Sequence, residues 1–148
     1  MATIAVAADH AAVALKAELV AELGRLGHEA LDLGPFDTTS VDYPDYATKV
    51  TGAVTSGQAA LGVLLCGTGL GMAITANKVH GIRAALCRTE FEARLSRQHN
   101  DANVLCLGAR VTGGGLALEI LKAFLGASFE GGRHAARVEK IRQVEAKR

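Results

Sequence analysis

Apolar and polar positions along this 148-residue chain follow two rhythms. Short, nearly unbroken aliphatic runs, the mark of strands buried on both faces, precede longer stretches with apolar residues every three or four positions. Thr3-Ile4-Ala5-Val6-Ala7-Ala8 is the first such run. Leu15, Leu19, Leu23 and Leu26 then fall at helical spacing, with Glu18, Glu22 and Arg25 on another face, and Gly27 closes that helix. Glu29 to Leu33 reads as a second strand, followed by a polar loop through Gly34, Pro35, Asp37 and Ser40. Pro44 suits the first turn of a helix running to about Ser56.

The alternation continues. Leu61 to Cys66 is the third strand, and Met72 to Lys78 belongs to the third helix. Arg83 to Leu86 and Asn103 to Leu107 are expected strands, with a helix from Thr89 to Gln98 between them. Gly113-Gly114-Gly115 leads into a helix over Leu116 to Leu125, and a final helix spans His134 to Lys147. Strand–helix repetition with all-apolar strands predicts an α/β fold. The expected form is a three-layer, doubly wound parallel sheet of about five strands, Rossmann-like, with an extra C-terminal helix. Residues 1–148 are expected to form a single domain, with no linker, repeat or low-complexity tract.

In such sheets ligands bind outside the carboxyl ends of the strands. Asp9 and His10 follow the first strand, Cys66 ends the third and Arg88 trails the fourth, so these residues are expected at one edge. The final helix differs from the rest. Its apolar stripe Val138, Ile141, Val144 is narrow, as in a helix that packs across a neighbouring subunit, and a homodimer is expected.

Composition narrows the partners. Hydrophobic residues at 49% and charged residues at 21% are ordinary for a globular chain. Sixteen basic against fifteen acidic residues leave a net charge of +1, so no global field recruits nucleic acid or a membrane surface. The first apolar run reaches Asp9 without a basic leader, unlike a signal peptide, and no run approaches membrane-spanning length. Three cysteines, an odd number with no CxxC pair, read as free thiols in a reducing compartment and not as a disulfide framework or a zinc site. A cytoplasmic protein is the expectation.

The segment Cys66-Gly67-Thr68-Gly69-Leu70-Gly71 carries the strongest chemical signal. A strand that ends in a glycine turn opening a helix presents a row of backbone N–H donors, which suit a phosphate or a developing enediolate. The same field favours thiolate over thiol at Cys66. A cysteine ending a strand is ordinarily a packing residue, but the glycine turn directly after it makes a reactive role the better reading. Cys87 and Cys106 lack such a turn and read as structural. The turn is neither a dinucleotide fingerprint, since Met72 stands where glycine or alanine would, nor a P-loop, since no Gly-Lys-Ser/Thr ending follows.

Three further groups qualify. Asp9-His10 is either a helix cap beside an exposed histidine or a carboxylate for sugar hydroxyls with a histidine near a phosphate. Ser96-Arg97-Gln98-His99-Asn100-Asp101 closes a helix with more polar groups than a loop needs, and His99 suits general acid–base work near neutral pH. Arg133 and Arg137, four apart, face the same way on a helix and can grip one phosphate, although a solvated basic face is the commoner outcome. His28 and His80 read as surface residues.

These blocks together resemble the type B ribose-5-phosphate isomerases of the ribose/galactose phosphate isomerase family. The resemblance covers nearly the whole chain. It rests on Asp9-His10, Asp42-Tyr43-Pro44, Cys66 to Gly71 with Ala76-Asn77-Lys78, Arg97 to Asn103, Gly108-Ala109-Arg110, and Glu130-Gly131-Gly132-Arg133-His134. It implies an aldose–ketose isomerase acting on sugar phosphates without metal or cofactor. It further implies that Cys66 moves a proton between C2 and C1 through a cis-enediolate, stabilised by the backbone of Gly67, Thr68, Gly69, Leu70 and Gly71. His99 matches the acid/base that opens the furanose ring, with Thr68 and Tyr43 close by. Asp9 matches a ligand of sugar hydroxyls, Asn100 another substrate contact, and His10, Arg110, Arg133 and Arg137 the phosphate grip. In that family the site lies between two subunits, of a dimer or of dimers paired into a tetramer.

One branch of the family places a carboxylate base where this chain has Met72, which cannot take a proton. Ala12 and Val13 depart from the usual glycine and aromatic after the Asp-His pair, and Ala12 asks for a backbone without positive φ. Two other readings stay open at this point. One is a hexose-6-phosphate isomerase acting on galactose or allose 6-phosphate. The other is a non-catalytic phosphate- or nucleotide-binding α/β module.

Overall fold

The computed structural model describes residues 1–148. In chain order the elements are β1 (Thr3–Ala8), α1 (Val13–Arg25), β2 (Glu29–Asp32), α2 (Tyr43–Thr55), β3 (Leu61–Cys66) and α3 (Leu70–Ala76). They continue with β4 (Ala84–Leu86), α4 (Glu90–Asn100), β5 (Val104–Gly108), α5 (Gly114–Leu125) and α6 (Arg133–Ala146). The five strands form one all-parallel sheet in the order β2-β1-β3-β5-β4. No helix is long and apolar enough to cross a membrane.

The pleat divides each strand between two cores. Ile4, Val6, Ala8, Val63, Leu65, Leu105 and Leu107 face α1, α4 and α5, where Leu19, Leu23, Ile120, Leu121 and Phe124 are wholly buried. Ala5, Ala7, Leu64, Cys66, Val104 and Cys106 face α2 and α3 with Val50 and Met72. Burial on both faces explains why the strand segments read as unbroken apolar runs. The first crossover carries the chain from β1 to β2 on one side, and the next returns it to β3 on the other. The carboxyl ends of β1 and β3 therefore flank a topological switch point, the usual crevice of a doubly wound sheet.

Helix boundaries differ from expectation by one or two residues, and α3 stops at Ala76, short of Lys78. Gly69 sits in the left-handed region at φ 81°, which lets α3 begin at Leu70 instead of Met72. The Thr89 hydroxyl accepts from the Glu92 N–H at 3.1 Å and starts α4. That helix runs on to Asn100 because Asp101, at φ 48°, closes it, with the Asp101 and Ala102 N–H groups donating to the carbonyls of Arg97 and Ser96. His99 and Asn100 are thus helical. Gly114 and Gly115 belong to the first turn of α5. Ala12 has φ −128°, the negative value its side chain asks for.

The last helix only partly fits its own chain. Val138 is buried, whereas Ile141 is 46% and Val144 65% exposed, so the lower half of the stripe is uncovered.

Candidate active site

Two clusters of polar groups lie at opposite edges of the sheet. The first is built on the carboxyl ends of β1, β3 and β5. The Asp9 N–H donates to the Leu65 carbonyl at 3.0 Å, which stitches the end of β1 to β3. The Ala109 and Arg110 N–H groups donate to the carbonyls of Cys66 and Gly67, both at 2.9 Å, which stitches the end of β5 to the glycine turn. Asp9, His10 and Cys66 are thereby brought together, as the topology predicts, with Gly67 to Gly71 and Arg110 beside them, whereas Arg88 follows the outer strand β4, with β5 between it and β3.

Cys66 lies at the bottom of this edge, 5% exposed. Its Sγ accepts the N–H of Gly69 at 3.1 Å, so the turn folds a donor onto the sulfur. The Thr68 hydroxyl accepts the Leu70 N–H at 3.2 Å. Only glycine fits at position 69. A Cβ there would lie 2.5 Å from Leu86 Cδ1 and 3.0 Å from the Leu107 carbonyl carbon, in addition to the strain of a positive φ. Two side chains flank the turn. The Arg110 guanidinium lies over Gly67, where a Cβ would meet Nη1 at 3.3 Å, and the Tyr43 ring covers Gly71, where a Cβ would meet Cε1 at 2.4 Å.

Asp9 is buried, and its carboxylate accepts the Ala11 N–H at 2.9 Å. It shapes the turn into α1 without capping that helix, whose N-cap Ala12 has no side-chain bond. His10 Nδ1 accepts the Val41 N–H at 3.1 Å, which leaves Nε2 as the protonated nitrogen, a donor for an anion. The other two cysteines stay as thiols. Burial pushes Cys87 up to about 11 and raises Cys106 further.

The second cluster sits where α4 ends and α6 begins. His99 and His134 stack face to face, with ring centroids 4.1 Å apart and planes 12° from parallel. Glu130 reaches both, its Oε1 lying 3.5 Å from His99 Nε2 and 3.8 Å from His134 Nε2. Burial, then the neighbouring positive charges of His99 and Arg133, hold His134 below the ordinary histidine value, with Glu130 opposing. Arg133 and Arg137 lie one turn apart on α6 and are exposed, as is Asn100. Arg83 clamps the end of α4, donating from Nε to the carbonyls of Asn100 (3.1 Å) and Asp101 (2.9 Å) and pairing with the Asp101 carboxylate at 3.1 Å.

A single chain does not join the clusters. The helix α4 leaves the carboxyl edge after β4 and runs 11 residues back, about 16 Å, to the start of β5. His99, Asn100, Arg133 and Arg137 therefore lie at the opposite edge from Cys66, Thr68, Tyr43 and Arg110. The expected closeness of His99 to Thr68 and Tyr43 is not met within one protomer.

Two functional neighbours escaped the sequence reading. His134 and Glu130 were visible only as members of a motif, and nothing in the spacing showed that His134 stacks on His99. Lys16 forms a buried pair with Asp32, at 2.6 and 2.8 Å to its two carboxylate oxygens. The signal for Lys16 was present, since it precedes Leu19 and Leu23 by three and seven positions on the buried face. Asp32 also accepts the Gly34 N–H at 3.0 Å, so the pair anchors the loop that carries Val41 to His10. Of the other histidines, His80 is exposed and His28 is half-buried, its Nδ1 accepting the Ala2 N–H at 3.2 Å.

The chain is a doubly wound α/β protein with a thiol under a glycine turn at the switch point of its sheet. The profile of the Ribose/Galactose Isomerase family matches residues 4–141. The chain is 49% identical over 148 residues to ribose-5-phosphate isomerase B of Escherichia coli, covering 100% of this chain and 99% of that one. It is 46% identical over 147 residues to D-erythrulose-4-phosphate isomerase of Pectobacterium atrosepticum, covering 98% and 96%. The solved ribose-5-phosphate isomerase B of Clostridium thermocellum superposes with a TM-score of 0.96 at 51% identity, covering 98% of each chain. The Trypanosoma cruzi type B enzyme superposes with a TM-score of 0.96 at 44% identity, covering 99% of each. The chain belongs to the ribose/galactose isomerase family, and it is an isomerase. The non-catalytic module is set aside on this ground.

Proposed function

We propose that the protein interconverts ribose 5-phosphate and ribulose 5-phosphate, as a single-domain cytoplasmic enzyme whose site is completed by a second copy of the chain. The observation that carries the chemistry is Cys66 Sγ held beneath the Gly67–Gly71 turn, with the Asp9 carboxylate and the Arg110 guanidinium at the same edge.

The reaction assigns each group a task. His99 gives a proton to the ring oxygen and takes one from the anomeric hydroxyl as the bond between C1 and the ring oxygen breaks, which opens the furanose to the aldehyde, and Asp9 and Thr68 hold sugar hydroxyls. The Cys66 thiolate takes the C2 proton, and the electron pair moves through C1–C2 onto the carbonyl oxygen to form the cis-enediolate. Backbone N–H groups of the turn stabilise that oxygen charge, which is where preorganised donors are worth most. The proton then returns from Cys66 to C1, while the O2 proton passes to O1, leaving the ketose. His10 Nε2–H, Arg110, Arg133 and Arg137 grip the phosphate, whose binding energy fixes the alignment.

Division of these groups between opposite sheet edges supports a composite site. The carboxyl-edge groups of one protomer would meet His99, Asn100, Arg133 and Arg137 of another, and the uncovered Ile141 and Val144 give α6 an apolar face for that contact. The substrate is tested by kcat/KM on ribose 5-phosphate against erythrulose 4-phosphate and galactose or allose 6-phosphate. The five-carbon sugar is expected to give the highest value. A higher value on any of the others would reassign the substrate.

A further inference from the structure

Apart from the thiol edge, the densest group of metal-ligating side chains is the one formed by His99, Glu130 and His134. Each offers one ligand atom, and the three atoms lie within 4.8 Å of one another. They come from the end of α4, the segment after α5 and the first turn of α6. Backbone bonds fix them relative to each other, since the Glu130 N–H donates to the Gln98 carbonyl and the His134 N–H to the Gly131 carbonyl, both at 3.0 Å. The donor chemistry is that of an open zinc site, in which two imidazoles and one carboxylate bind the ion and leave a position for water or an anion.

Zinc sits about 2.0–2.1 Å from each nitrogen or oxygen ligand and in the plane of each imidazole, so the ion is reached when His99 turns out of its stack with His134 and the three ligand atoms draw together. Glu130 is half exposed and His99 about a third, which leaves both free to move. Arg133 and Arg137, one turn apart at the start of α6, oppose a cation. The Glu130 carboxylate counters them.

We propose that His99, Glu130 and His134 form a binding site for one divalent zinc-type cation per chain, and that its occupation switches the isomerase off. The ion withdraws His99 from acid–base work and fixes the start of α6, where Arg133 and Arg137 grip phosphate. The inhibitory effect rests on the reading of His99 given above, whereas binding of the ion does not.

The test is calorimetric titration of the metal-free, full-length protein with zinc chloride. Wild type is expected to bind one zinc per chain. His134→Gln and Glu130→Gln, each checked for folding by circular dichroism, are expected to weaken binding by at least about tenfold. Cys66→Ala is expected to bind as wild type does. Absence of binding, retention of wild-type affinity in His134→Gln, or loss of binding in Cys66→Ala would overturn the site. Nitrogen-15 spectra of the wild-type histidines read the same contact without a variant, with the His99 and His134 signals shifting on addition of zinc and the His80 signal staying put. Zinc is further expected to suppress turnover of ribose 5-phosphate, with recovery on chelation. Binding at these histidines without inhibition would leave the ion site standing and remove both the switch and the ring-opening role of His99.

Discussion

Cys66 stands at the last position of β3, and the chain immediately after it must turn sharply without a side chain. Gly69, at φ 81°, meets the Leu107 carbonyl and the Leu86 methyl, and its N–H turns back onto the sulfur. Thiol, donor and turn are thus a single local structure. Cys66→Ala is expected to lower kcat on ribose 5-phosphate by about 10²–10⁴-fold, the usual worth of a positioned base. Calorimetry should still show substrate binding, because the phosphate grip is untouched. Turnover within tenfold of wild type would show that another group moves the proton. His134 gives a separate, pH-dependent expectation. Its value is depressed in the fold, so the unfolded chain binds more protons below the ordinary histidine value of about 6.5. The stability it contributes is present above that value and lost as pH falls through its lower folded value. Glu22, held low chiefly by its hydrogen bond to Arg25, acts with the same sign but only below about pH 4.5. Thermal midpoints should therefore fall between about pH 7 and pH 5 in wild type and fall less in His134→Gln. Parallel profiles would contradict this.

At the scale of elements, the strands were legible because burial on both faces leaves an unbroken apolar run, and the expected β1 and β3 match their observed limits. Helix ends were less legible. The end of α4 depends on Asp101 adopting a left-handed conformation, held by Arg83 and Arg97, which are distant or unremarkable in sequence. The loop between β2 and α2 was read only as polar. Its anchor is the Lys16–Asp32 pair, in which Lys16 is buried and Asp32 is 25% exposed. Lys16→Met leaves that carboxylate without its partner. Loss of one partner of a fully buried pair costs about 3–5 kcal/mol, and partial exposure of Asp32 reduces the expectation to roughly 2–3 kcal/mol. Urea unfolding should show a lower midpoint with an unchanged slope. An unchanged midpoint would mean that the pair does not stabilise the fold.

For the whole molecule, the sheet order explains both what the sequence revealed and what it concealed. Residues following parallel strands converge because the strands end together, so Asp9, His10 and Cys66 were readable as one edge, whereas Arg110 entered only through the family motif. His99, Arg133 and Arg137 belong by motif to the same chemistry, yet α4 and α5 carry the chain to the far edge before they occur. No local rule of spacing shows that displacement. The proposed dimer, in which each site takes Cys66 from one protomer and His99 from its partner, would bring the two sets together. The most direct test mixes two variants, Cys66→Ala and His99→Asn, co-refolded in equal amounts and assayed on ribose 5-phosphate. Each variant alone is expected to be nearly inactive. Random pairing makes half the molecules heterodimers with one intact site each, so about a quarter of wild-type activity should return. A mixture no more active than the two variants measured separately would contradict a site shared between subunits.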